Sequence, residues 1–328
     1  METSHMGWYS QTIKQYLSRQ EVDAIMRKSD WRAVGELATT WGWIAAAFAL
    51  AGFFPNPITI LAALIVLGGK QLACAIIMHD CSHNAYFTSA RWNTLAGNWL
   101  GSYPILQNVE QYRPYHLQHH KFAGLHNDPD LSLTKGYPTT ALSMVRKFAR
   151  DLSGATGIKG QLAVLSMHAG YLSYSLGGAA QWLQKRSAWD HLRLGWKNLR
   201  GPLTANGLLF ALLWLCGAGW LYLLWIGALL TTYNVSLRVR SMAEHSVVEE
   251  QENPHKNTRT TYANFLERLL FAPHHVNYHA EHHLMMAAPP YNYPRLHRIL
   301  LSRGYFDEGV LETGYWKILK KAVAGKRT

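Results

Sequence analysis

The stretch from Trp41 to Met78 is apolar almost throughout and is interrupted only by Pro-Asn-Pro at 55–57. A helix needs roughly 20 apolar residues to cross the ~30 Å hydrocarbon core of a bilayer. With the weakly polar residues from about Gly35 added, the stretch supplies two such segments, 35–54 and 58–78. So short a break between them demands a tight antiparallel hairpin. Lys70 and Gln71 lie late in the second segment, where a cation either snorkels to the interface or faces the protein interior. A second apolar block, Leu203–Tyr233, is too long for one span and carries Gly-Ala-Gly at 217–219, so it divides into 203–217 and 220–240. Trp92–Leu106 and Gln161–Trp182 are shorter or more polar and read as buried or interfacial helices.

The expectation is an all-α membrane protein with four transmembrane helices in two hairpins, forming a single domain over 1–328. Residues 1–34, 79–202 and 241–328 then fall on one side, as an N-terminal segment and a helical cap. That side holds nearly all Lys and Arg, which marks it as cytoplasmic by the positive-inside rule. Only 16% of residues are charged, against about a quarter in soluble domains, and 13 Trp and 17 Tyr suit membrane interfaces. A net charge of +12 is the usual sign of a nucleic-acid partner. Here the cations gather beside the apolar runs, where anionic headgroups lie, so no nucleic acid is expected and the membrane is.

Eight of the 17 histidines fall in three short clusters. "HDCSH" holds His79 and His83, "HLQHH" holds His116, His119 and His120, and "HAEHH" holds His279, His282 and His283. Spacings of three and four residues put side chains on one helix face, and an i, i+4 imidazole pair can grip one metal. One zinc takes about four ligands, so eight or nine imidazoles suit two ions. Imidazole serves iron, zinc, copper and nickel alike, and the residues alone do not name the metal. His245 lies just past the 220–240 segment, as His79 and His83 lie just past 58–78, so two helix ends can meet below the bilayer.

Asp80, Glu281, Glu244 and Asp128 are expected to hydrogen-bond ligand imidazoles from outside, which fixes tautomer and basicity; Asp130 is a similar case. His126, His274 and His275 are outer or substrate-side candidates, whereas His5, His168, His191, His255 and His297 read as surface or packing residues. Cys74, Cys81 and Cys216 are too few for a Cys-ligated iron–sulfur cluster.

The order HxxxH, HxxHH, HxxHH, with a long membrane segment before the last, resembles the integral-membrane fatty acid desaturase/hydroxylase superfamily. "HNDPD" after the second cluster and "PRLHRIL" after the third extend the resemblance over roughly residues 35–300. It implies two non-haem irons held by His79, His83, His116, His119, His120, His279, His282 and His283, with His245 as the extra histidine that acyl-CoA desaturases carry on the fourth span. It implies O₂-dependent C–H oxidation of a lipid acyl chain, foremost fatty acid desaturation. Electrons would come from a separate carrier of the ferredoxin or cytochrome b5 type, since no His-Pro-Gly-Gly haem signature is present. The compact length favours a bacterial cytoplasmic membrane over the endoplasmic reticulum. Two departures bear on the substrate. Ser241 stands where acyl-CoA desaturases carry an Asn that holds a water near iron, and "LMMAAPP" follows the third cluster in place of the usual Phe-Pro. A hydroxylase or ketolase of a fatty acyl or carotenoid substrate is the alternative. A membrane b-type cytochrome needs histidines facing each other inside the spans, and a metal transporter needs polar residues lining them; the clusters and spans read here fit neither.

Overall fold

A computed structural model describes residues 4–178 and 180–324. In chain order its helices are α1 (Met6–Tyr16), α2 (Arg19–Met26), α3 (Asp30–Phe53), α4 (Pro57–Ser82), α5 (Ala90–Ala96), α6 (Val109–Phe122), α7 (Leu131–Thr134), α8 (Ala141–Leu152) and α9 (Ala155–His168). They continue with α10 (Ala188–Leu215), α11 (Leu221–Leu230), α12 (Thr232–His245), α13 (Phe265–Leu270), α14 (His279–Leu284), α15 (Tyr293–Ser302) and α16 (Tyr315–Val323). Two short strands, β1 (Arg259–Tyr262) and β2 (Val310–Thr313), pair in parallel with Arg259 opposite Val310.

Local signals set the first hairpin. Ser29 caps α3 by accepting from the Arg32 N–H. Asn56 caps α4 in a reciprocal pair with Thr59, and Pro57 opens the first turn, where its missing N–H costs nothing. Among the described residues, α3 and α4 are the two helices long and apolar enough to cross a membrane. Helix α4 runs past the expected end at 78 to Ser82, so His79 lies within it and His83 is its C-cap. Lys70 and Gln71 face the interior, and Gln71 Nε2 donates to the Trp225 carbonyl at 2.7 Å.

The second hairpin departs from expectation at both arms. Helix α10 starts at Ala188, well before the apolar run at 203, because Ser187 caps a polar turn that leads straight into it. Gly217, at φ +71°, makes the turn after it. The segment 220–240 is two helices that break at Thr231 (φ −121°, ψ −87°). Thr231 Oγ1 donates to the Gly227 carbonyl, and Thr232 Oγ1 to the Leu64 carbonyl of α4, each at 2.6 Å. Threonine hydroxyls that take backbone carbonyls in this way bend or break helices. Gly68 of α4 lies against this break: a Cβ there would sit 2.3 Å from Thr232 Oγ1 and 2.6 Å from its carbonyl carbon.

Between 92 and 106 the chain is helical in three styles, α5, a π-helical turn over Gly97–Ser102 and a 3-10 turn over Tyr103–Ile105. Among the described residues of 161–182, only the part to His168 is helical. Large apolar side chains such as Phe53, Ile58, Leu61, Leu208, Trp214 and Leu215 remain exposed on α3, α4, α10 and the turns beside them, an apolar surface of the kind that marks a membrane or partner contact. Beyond them the ends of α4, α6 and α12 converge with the short α14. His274 and His275 precede α14 with left-handed backbones (φ 53° and 61°), which cost non-glycine residues about 1–3 kcal/mol each. His274 is pinned there: Nδ1 donates to Glu36 at 3.1 Å and Nε2 accepts from the Thr40 hydroxyl at 2.9 Å.

Candidate metal centre

Four helices deliver nine imidazoles to one buried space. They form a group of five (His79, His83, His116, His120, His282) and a group of four (His119, His245, His279, His283), and in each group one nitrogen per residue lies within 4.8 Å of every other. Helical spacing explains the division. The i, i+4 pairs His79/His83 and His116/His120 enter the group of five, and the i, i+4 pair His279/His283 enters the group of four. The leftover histidine of each HxxHH run, His119 or His282, points round the helix into the other group. The groups adjoin, with the His120 and His283 ring centroids 4.3 Å apart.

Hydrogen bonding fixes which nitrogen faces inward. His79 Nδ1 donates to Asp80 at 2.7 Å, His119 Nδ1 to Asp128 at 2.8 Å, and His245 Nδ1 to the Asn257 carbonyl at 3.0 Å. His282 Nδ1 meets the Tyr293 hydroxyl at 3.0 Å and His283 Nδ1 the Tyr9 hydroxyl at 3.4 Å. Each of these rings therefore turns its Nε2 to the interior. His119 and His279 bring Nε2 within 3.2 and 2.8 Å of His245 Nε2, and His116 and His282 within 3.1 and 2.9 Å of His120 Nε2. Where both rings carry their proton on Nδ1, lone pairs so close repel unless a cation lies between them. Metal–nitrogen bonds near 2.1 Å place neighbouring ligands about 3 Å apart at right angles. The Nε2 atoms of His79, His83 and His283 are buried without a hydrogen-bond partner among the described residues, a state that buried polar atoms rarely keep without an ion or water. The donor set fits two metal ions.

Burial, reinforced by neighbouring imidazoles, pushes His116, His120, His279, His282 and His283 well below the usual histidine range; His83 falls to about 3. These rings are held neutral, the form that binds metal. His119 goes the other way. Burial alone would lower it, but the Asp128 carboxylate outweighs that and raises it. Asp128 is itself held below the carboxylate range: burial opposes, while His119 and the N–H groups of Gly124 and Asp130 (both 2.8 Å) prevail.

Glu244 is bound by Arg240 Nε at 2.5 Å and lies 3.5 Å from His279 Nδ1. Ser241 lines a small cavity beside His245 and His279 but bonds no imidazole among the described residues. Asp130 stands 3.8 Å from His119 Nδ1 and takes the Tyr115 hydroxyl. Glu281, expected to orient a ligand ring, turns away from the centre. It accepts from His297 Nδ1 and the Thr260 hydroxyl, both at 2.5 Å, and so ties α14 to α15 and β1. His5, His168, His191 and His255 each bond a backbone carbonyl, in keeping with packing roles. His274 and His275 engage Glu36, and His126 is exposed, so none of the three joins the groups. Tyr9, Tyr293 and Asn257 escape sequence reasoning, because they reach the centre from distant segments with no spacing that marks them.

Residues 55–313 match the family described as fatty acid desaturase. The chain belongs to the fatty acid desaturase family. One relative is the dihydrorhizobitoxine desaturase of Bradyrhizobium elkanii, 29% identical over 241 residues, a match that covers 69% of this chain and 63% of that desaturase. All nine imidazoles of the two groups lie inside the family match.

Proposed function

We propose that this protein is a membrane-bound di-iron oxidoreductase that desaturates a lipid acyl chain with O₂. The observation that carries the reading is the pair of adjoining, buried imidazole groups with their free nitrogens turned inward. His79, His83, His116, His120 and His282 would hold one iron, and His119, His245, His279 and His283 the other. The chemistry that non-haem iron supplies when bound is O₂ activation to an oxidant able to take hydrogen from unactivated carbon, which side-chain acid–base chemistry cannot do. The chain's own residues do the positioning. Asp80, Asp128, Tyr293 and the Asn257 carbonyl hold the rings in one tautomer and direction, and burial keeps bulk water from the centre. Family membership supports a lipid acyl substrate, and the relative's name favours desaturation over hydroxylation as the outcome.

The same reading has four spans, with α10 and the broken α11–α12 completing the set begun by α3 and α4, in a bacterial cytoplasmic membrane. The centre then lies on the cytoplasmic side, and the basic cap is suited by charge to an acidic electron carrier of the ferredoxin or cytochrome b5 type. The test is metal content per chain of detergent-purified protein, an optical scan for haem, and lipid product analysis after supply of reductant and O₂. About two irons, as two donor groups of this kind require, no Soret band and a new carbon–carbon double bond are expected. A Soret band, or zinc alone with no activity after reconstitution with iron, would overturn the reading.

A further inference from the structure

The cavity beside the group of four carries a guanidinium, Arg240, in its wall. Apart from Leu133 and the Tyr112 ring, its lining is polar or ionisable, and it includes the ligand-group residues His116, His119, His245 and His279. Pockets for apolar ligands are mostly apolar, with a few placed polar groups. Here several polar side chains converge on one small space, and one of them is a cation. The Arg240 side chain is 14% exposed. Its Nε is taken by Glu244, while Nη1 and Nη2 have no hydrogen bond among the described residues and are not sealed off, so they face open space. Guanidinium stays charged at any physiological pH and presents a planar fork. One edge is thus anchored and the Nη1/Nη2 fork is free, beside the centre.

A largely buried guanidinium with free N–H donors wants a matching acceptor, and a carboxylate matches the fork with two parallel bonds. The protein's own carboxylates in this wall are already engaged. Glu244 holds Nε, and Asp130 takes the Tyr115 hydroxyl and lies near His119. Thr134, whose hydroxyl donates to the Leu131 carbonyl, and Ser241 add neutral polar surface.

We infer that the Arg240 fork binds the carboxylate of a free carboxylic acid substrate, which enters head-first and presents carbons near its carboxyl end to the imidazole groups. The inference rests on the proposed reading of those groups as metal-holding, since bound cations offset the repulsion that Glu244 and Asp130 exert on an anion. It sets the acyl carrier: a thioester or glycerolipid ester has no carboxylate for the fork.

The test compares hexanoate with hexanamide, two small soluble probes of equal chain length, by NMR titration against the metal-loaded, full-length protein in detergent. Hexanoate is expected to bind about tenfold or more tightly than hexanamide, the margin of a charge-assisted pair. Arg240→Gln is expected to remove that preference and leave hexanamide binding as it was. Because Arg240→Gln alone strands Glu244, the double variant Arg240→Gln/Glu244→Gln is run beside it as a folded, charge-balanced control. Equal binding of the two probes by the wild-type protein overturns the proposal. So does a hexanoate preference that survives both variants, which would place the carboxylate on the metals instead. Metal content is read in every sample: two metals per chain with no carboxylate preference would sink this inference alone, whereas a chain that binds no metal sinks the reading beneath it.

Discussion

At His119 two demands meet on one ring. Its Nε2 faces His245, and its Nδ1 donates to a carboxylate that is itself held by two backbone N–H groups. Removing such an outer partner costs about 10–100-fold in metal affinity at sites of this kind. Asp128→Asn is therefore expected to weaken the group of four by that factor and spare the group of five. Dialysis against a graded chelator, with metal counted per chain, should show one ion lost early and one retained. Simultaneous loss of both, or no change, would show that Asp128 does not act through His119. His120→Ala and His283→Ala, one from each group, should each abolish O₂-dependent product while leaving the helical circular dichroism intact. Much at this scale was legible. An HxxHH run states its own facing because helical spacing is rigid, so the nine imidazoles could be named from the chain. Glu281 could not be read the same way. Its neighbours on the helix belong to the imidazole groups, but its direction is set by His297, sixteen residues on, and by Thr260 on β1. Tyr9 and Tyr293 are hidden for the same reason, since a phenol's partner depends on tertiary approach.

Helix α4 is the element on which the centre hangs, for it carries His79 and His83 and packs against α12, which carries His245. They approach closely at Gly68, where any side chain would meet the backbone of Thr232. Overpacking in a close-fitted interior costs about 1–3 kcal/mol, and here it would also push the histidine-bearing ends apart. Gly68→Leu is expected to lower the thermal midpoint in detergent and to reduce bound metal. Gly42 of α3 is the control, because a Cβ there meets nothing within 4 Å. Gly42→Ala should leave metal content unchanged and be neutral or stabilising by about 0.4–1 kcal/mol. Unimpaired stability and metal binding in Gly68→Leu would mean that the α4–α12 contact is loose. The first hairpin was legible because apolar runs and a Pro-Asn-Pro break are strong signals of length and turn. The break at Thr231 was not, because hydropathy runs smoothly through it and the interruption comes from two hydroxyls finding carbonyls, one of them on another helix.

At the scale of the molecule, the exposed apolar surface of α3, α4 and α10 lies along one part of the chain's helices, and the imidazole groups lie at the far ends of α4 and α12. A bilayer around the first part puts both hairpin turns, at 55–57 and 217–219, on the side away from the centre. The native cysteines offer a direct check. Cys74 and Cys81 are buried, whereas Cys216 is exposed at the second turn. In spheroplasts of a bacterial host, a membrane-impermeant maleimide should label Cys216 without permeabilisation, and Cys216→Ser should remove the label. In that background Lys317→Cys, on the exposed side of α16, should label only once the membrane is opened. The reverse pattern would put the centre on the outer face, out of reach of cytoplasmic reductant. Labelling of both positions in intact spheroplasts would mean that α10 and the broken α11–α12 pair do not cross, because one unbroken hairpin of α3 and α4 alone leaves every later segment on a single side.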